Sequence, residues 1–205
     1  VYQPDAGRIV IEGREIAGLT PDRIAALGLA RTFQNIRVFK EMSVLGNVLT
    51  GAQPRLRQSL WSAVARTAAF RQEEEGLARE AQELLELLGL SEYGEARAAG
   101  LPYGPQRRLE IARALAARPK VLLLDEPAAG ANDRESAALR ELLHRIRDRF
   151  DLSMLVIEHD MPFVMGLAAR LIVLDGGETI AQGPPEEVRK DPKVIEAYLG
   201  QGAVP

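Results

Sequence analysis

Residues 120–127 read KVLLLDEP, and this short run constrains the fold more than any other stretch of the chain. Val121 to Leu124 are apolar without alternation, then Asp125 and Glu126 follow at once. A run of that length suits a strand and is too short for a helix. Unbroken apolar character marks a strand covered on both faces, as in a parallel sheet layered with helices. GPQRRLEIARALAARP (104–119) precedes it and reads as a helix with Pro105 in its first turn. NDRESAALRELLHRIRDRF (132–150) follows. There Asn132 and Glu135 have the spacing of a capping box, and Leu139, Leu142, Leu143 and Ile146 form one stripe. SMLVIEHD (153–160) repeats the apolar-then-charged pattern. Strand and helix alternating over 104–175 predict an α/β core with right-handed crossovers.

Elsewhere the pattern changes. GRIVIEG (7–13) reads as a half-exposed hairpin strand. TPDRIAALG (20–28) is a short helix with Thr20 as N-cap, Pro21 at its first position and Gly28 as its stop. LARTFQNIRVF (29–39) is a strand running into a loop. Residues 43–99 read as mostly helical, with Leu77, Ala81, Leu84, Leu85 and Leu88 on one face. The organisation expected is a single domain over 1–205. A helical subdomain of about 41–103 is inserted in an α/β core of about 1–40 and 104–205. RLIVLDGGETIAQG (170–183) predicts strand, Gly-Gly turn and strand, and two short helices follow near 185–190 and 192–199.

Composition narrows the function. The 26 basic and 29 acidic residues are well mixed and leave a net charge of −3, which argues against a dedicated nucleic-acid surface. With no cysteine, disulfides, thiolate chemistry and zinc–thiolate sites are excluded, which fits a reducing compartment. No apolar run approaches the ~20 residues that span a bilayer. The first ten residues, VYQPDAGRIV, lack the basic flank and apolar stretch of a signal peptide. They also lack a starting Met and open mid-pattern, so a longer parent protein is expected.

Ligands of parallel sheets gather outside the carboxyl ends of the strands. Here two such ends carry charge, Asp125–Glu126 and Glu158–His159–Asp160. Neighbouring strands would bring together a metal-holding carboxylate, a base and a histidine. Strand ends also simply meet water, and a lone histidine is commonly structural, so both readings stand on spacing alone.

The combination of motifs adds a resemblance. LLLDEP resembles the Walker B segment of ATP-binding cassette (ABC) ATPases, and LPYGPQRRLEIARAL resembles their signature segment. RTFQ resembles the Q-loop and VIEHD the histidine switch, in the family's order. RTFQNIRVFKEMSVLGNVL, LDEPAAG, EHDM and DPKVIEAYLG look like the subfamily that energises bacterial uptake of branched-chain amino acids. The resemblance implies a P-loop-NTPase-type parallel sheet with a partial antiparallel β region and an inserted helical subdomain. It implies ATP and Mg2+ as cofactors, with Asp125 and Gln34 toward the metal, Glu126 as general base and His159 toward the γ-phosphate. Leu101, Pro102, Tyr103 and Gly104 would face the nucleotide of an opposing subunit, and Asn132 sits at the D-loop position. His144 is read as a surface residue on a solvated helix face.

Two departures matter. Pro102 stands where the family has a serine, and Pro105 replaces a glutamine, so the contact in trans is expected to be weakened, the helix N-terminus still facing phosphate. No Gly-x-x-x-x-Gly-Lys-Ser/Thr run is present, and none of Lys40, Lys120, Lys190 or Lys193 follows a glycine. The chain as given is therefore expected not to hydrolyse ATP appreciably. The expected function is an ATPase subunit of an importer at the cytoplasmic face of the membrane. Its expected partners are a second ABC ATPase subunit, transmembrane permease subunits and, indirectly, a solute-binding protein. The alternative is a catalytically inactive ABC-like subunit that dimerises with an active ATPase.

Overall fold

The computed structural model describes residues 4–56 and 67–199. A small hairpin, β1 (Val10–Ile11) and β2 (Arg14–Glu15), opens the chain. Helix α1 (Pro21–Ala26) follows Thr20, whose side chain makes no capping bond, and Gly28 ends the turn at φ +93°. Only a residue without Cβ enters that region freely. Strand β3 (Leu29–Arg31) then leads into the loop before α2 (Val44–Ala52), which Ser43 caps by accepting from the Gly46 N–H.

Helix α3 (Ala68–Leu87) carries the predicted apolar face, with Ala81, Leu84 and Leu85 buried. Helix α4 (Tyr103–Ala116) precedes β4 (Val121–Asp125), and α5 (Asp133–Phe150) precedes β5 (Ser153–Ile157). The Asn132–Glu135 capping box is formed in full, and Asp151 ends α5 in the left-handed region. Short α6 (Met161–Leu167) is capped by Asp160. The antiparallel pair β6 (Leu171–Asp175) and β7 (Glu178–Gly183), then α7 (Pro185–Val188) and α8 (Pro192–Leu199), complete the order.

The central sheet has the order β3-β4-β5 and is parallel throughout. Leu109, Ile111 and Leu115 of α4, Leu122 and Leu124 of β4, and Leu143 and Ile146 of α5 share one core at about 1% exposure or less. Burying a side chain of this size stabilises the fold by about 1.5–3 kcal/mol. Helices α2 and α4 approach closely at Gly51: a Cβ there would lie 2.1 Å from the Arg113 carbonyl oxygen.

The expectation that both faces of the sheet are covered requires correction. Leu122 and Leu124 are buried, but Leu155 and Ile157 of β5 are 57% and 60% exposed. Register places Leu123 beside Leu155 and Asp125 beside Ile157, on the same face. The helices that share the core with Leu122 and Leu124 lie on the other side. Among the described residues, little packs over the Leu155–Ile157 face.

Candidate functional site

The end of β4 turns sharply. Glu126 adopts φ +44°, and its N–H donates to the Ile157 carbonyl at 2.9 Å. A left-handed residue other than glycine costs of order 1–3 kcal/mol and persists where the surroundings fix it. The turn sends the two adjacent carboxylates to different partners. Asp125 Oδ2 lies 2.9 Å from Arg31 Nη2, at the end of β3. Glu126 Oε2 accepts a hydrogen bond from Gln34 Nε2 at 2.8 Å, and Glu126 Oε1 lies 3.8 Å from His159 Nδ1. Repulsion between the neighbours is thereby offset by a guanidinium on one and an amide on the other. The two strand tips do meet: Gln34 and His159 both reach the Glu126 carboxylate, and Asp125 is its neighbour in the chain.

Glu158, beside His159, does different work. Its side chain is 1% exposed, and Oε1 accepts the Ala128 N–H at 2.8 Å. Oε2 accepts the N–H groups of His159 at 3.0 Å and Asp160 at 3.4 Å. This carboxylate bolts the β5 tip to the loop after Glu126. His159 itself is 74% exposed at the side chain, free to meet a ligand from solvent.

The start of α4 reaches the same cluster through side chains that periodicity gave no reason to single out. Arg107 and Glu110 are 2% and 1% exposed, and they bind the backbone of residues 33–37. Tyr103 donates its hydroxyl to the Ala129 carbonyl at 2.9 Å and accepts from Arg107 Nη2 at 3.1 Å. Pro102 is the N-cap and offers no side-chain acceptor, while Gln106 Nε2 donates to the Leu101 carbonyl at 2.7 Å. Leu101 is buried, Pro102 and Tyr103 are exposed, and a Cβ on Gly104 would meet nothing within 4 Å. Asn132 is directed to its helix, Oδ1 accepting the Glu135 N–H at 3.0 Å. Two guanidinium groups lie against the Phe33 ring, Arg37 at 4.4 Å and Arg31 at 5.3 Å from its centroid. The signal for Arg107 and Glu110 was their i, i+3 spacing on a buried helix, which spacing alone does not separate from a surface ion pair.

The surface reading of His144 is corrected: it is half-buried, and its Nε2–H donates to the Gly166 carbonyl at 2.9 Å, joining α5 to α6. Among the described residues, no group of three or more His, Cys, Asp or Glu is gathered to hold a metal ion. Asp125 and the Gln34 amide nevertheless supply hard oxygen donors. One or two such donors fit Mg2+, which keeps its waters and takes the rest of its shell from substrate phosphates.

Comparison with known proteins bears on the family and the fold. Residues 1–129 match the family described as ABC transporter, and residues 178–204 match the one described as branched-chain amino acid ATP-binding cassette transporter. The high-affinity branched-chain amino acid transport ATP-binding protein LivG of Salmonella typhimurium is 43% identical over 200 residues, covering 98% of this chain and 78% of that protein. BraF of Pseudomonas aeruginosa, described in the same terms, is 42% identical with the same coverage. The crystal structure of the ADP conformation of MJ1267, an ATP-binding cassette of an ABC transporter, superposes with a TM-score of 0.79 at 30% identity, over 98% of this chain and 79% of that one.

Proposed function

The chain belongs to the ABC transporter family, and from that membership we propose that it is an ATP-binding and ATP-hydrolysing subunit of an importer for branched-chain amino acids. The observation that carries the reading is the convergence of Gln34 and His159 on the Glu126 carboxylate, with Gln34 Nε2 at 2.8 Å and His159 Nδ1 at 3.8 Å. In this reading Glu126 is the general base. It takes a proton from the attacking water, a task worth about 10²–10⁴-fold in rate. The Gln34 amide occupies one carboxylate oxygen and leaves the other toward the water. His159 carries a donor to the γ-phosphate, and Arg31 offsets the charge of Asp125. Asp125 and Gln34 would hold Mg2+, which when bound with ATP neutralises phosphate charge. Leu101, Pro102, Tyr103 and Gly104, at the start of α4, would meet the nucleotide of a second subunit, and Asn132 lies at the edge of that contact.

No Gly-x-x-x-x-Gly-Lys-Ser/Thr run is present in these 205 residues, and we take this chain alone not to hydrolyse ATP appreciably. The partners in this reading are a second ATPase subunit and transmembrane permeases, with a solute-binding protein acting indirectly. The chain would sit peripherally at the cytoplasmic membrane face; among the described residues no helix is long and apolar enough to cross a membrane. Movement would pass to the permeases through Arg37, the half-exposed Phe39 and the helical subdomain of about 41–103.

Glu126→Gln tests the proposal in the assembled transporter. ATP binding should persist while turnover falls by at least about a hundredfold. Normal turnover in that variant removes Glu126 from its role. A parent transporter that binds the subunit yet shows no Glu126-dependent turnover supports the non-hydrolysing alternative.

A further inference from the structure

The loop from Thr32 to Phe39 lies outside any strand or helix, and buried backbone polar groups must still find partners. Two charged side chains of α4 provide them. Arg107 Nη1 donates to the Phe33 carbonyl at 2.7 Å, and Nη2 donates to the Gln34 carbonyl at 3.0 Å and the Glu126 carbonyl at 3.4 Å. Glu110 Oε1 accepts the N–H groups of Arg37 at 3.1 Å and Phe33 at 3.4 Å. The two side chains also pair with each other, Arg107 Nη1 to Glu110 Oε2 at 3.3 Å. One guanidinium thus holds the backbones of Gln34 and Glu126, the two residues whose side chains meet at 2.8 Å. A buried ion pair is poor evidence of added stability, because an apolar pair of similar volume commonly serves as well. What an apolar pair cannot do is fix five backbone groups in two segments that are far apart in sequence.

We propose that Arg107 and Glu110 are positioning residues for the reaction, setting the contact between Gln34 and Glu126 without touching substrate themselves. The Tyr103 hydroxyl binds the same guanidinium at 3.1 Å, so displacement at the start of α4 is carried to that contact. The geometry is independent of any ligand; the consequence for turnover rests on the function proposed above.

The test compares the double variant Arg107→Met, Glu110→Leu with the single variants Glu110→Gln and Arg107→Lys. Hydrogen exchange of the nucleotide-free chain is followed at residues 32–39, and ATP turnover is followed in the assembled transporter. In the double variant the amides of Phe33 and Arg37 should exchange about tenfold to a hundredfold faster, with α5 and β4 protected as in the parent. kcat should fall while KM for ATP stays within about twofold. Glu110→Gln keeps an oxygen for the Phe33 and Arg37 N–H groups but sets its NH2 against Arg107 Nη1, so exchange there should quicken less than in the double variant but measurably. Arg107→Lys should not rescue, because a single ammonium cannot span the carbonyls a guanidinium fork reaches. Unchanged exchange at 33–37 in the double variant overturns the proposal, as does full activity of Arg107→Lys. Should the double variant fail to fold, Glu110→Gln alone decides: exchange at Phe33 and Arg37 no faster than in the parent overturns the proposal. Exchange that responds as expected in a protein showing no turnover rejects the proposed function and leaves the positioning role standing.

Discussion

Replacing Glu158 by glutamine, the mildest change by shape, should prove damaging. The carboxylate is 1% exposed and only accepts hydrogen bonds, from Ala128 N–H at 2.8 Å on one oxygen and from His159 and Asp160 N–H at 3.0 and 3.4 Å on the other. An amide has one oxygen. Whichever way the substituted side chain is placed, its NH2 faces a backbone N–H, and one side of the bolt is lost. A bond to a charged acceptor is worth about 1.5–3 kcal/mol, so Glu158→Gln should cost about that much. Glu158→Ala loses both sides and should cost about 3–5 kcal/mol, the 3.4 Å contact adding little. Urea unfolding followed by far-ultraviolet circular dichroism measures both. A Glu158→Gln protein within about 0.5 kcal/mol of the parent refutes the reasoning, since a site that accepts an amide cannot depend on two-sided acceptance.

Other perturbations separate forces elsewhere. Gly51→Ala would set a Cβ 2.1 Å from the Arg113 carbonyl oxygen, and a destabilisation of about 1–3 kcal/mol should appear in thermal unfolding. Gly166→Ala first meets the movable Arg140 side chain, at 2.8 Å, and should stay within about 1 kcal/mol of the parent in the same assay. Glu80 is flanked by Arg55 at 2.6 Å and Arg118 at 2.8 Å, and the Arg55 hydrogen bond, ahead of the charges, holds its carboxyl below the usual glutamate range. A depressed folded value adds stability above the ordinary pKa of about 4.3, and that stability is lost as pH falls through the folded value. Glu80→Gln should therefore cost about 0.5–1 kcal/mol at neutral pH, the partly exposed pair being screened, and nothing at about pH 2; equal costs at both pH values refute the linkage. Gln34→Ala should lower kcat about tenfold or more in the assembled transporter, and an unchanged kcat removes the 2.8 Å amide contact from the chemistry.

The features that announced themselves in the sequence are those set by local physics. Strands β4 and β5, the capping box of Asn132 and Glu135, the apolar face of α3 and the Gly-Gly hairpin all follow from spacing within a dozen residues. The meeting of Glu126 with His159 was legible because two strand ends in a parallel sheet share one edge. Arg107 and Glu110 escaped because charged residues on an amphipathic helix normally face water, and only the bend of the 33–37 loop over α4 buries them. His144 escaped for the related reason that α6 lies across its face of α5. The uneven covering of the sheet was hidden by an apolar run in β4 that looks the same whether one side is covered or two.

The cluster joins residues distant along the chain: Arg31 with Asp125 are separated by 94 positions, Gln34 with Glu126 by 92, and Phe33 with Arg107 by 74. Parallel pairing and contacts of such range close late, since loop entropy must be overcome before any of them forms. The cluster around Glu126 is therefore among the contacts that cost most loop entropy to close. In the function proposed above, competence for chemistry would arrive only with the pairing of β3, β4 and β5 that brings these residues together.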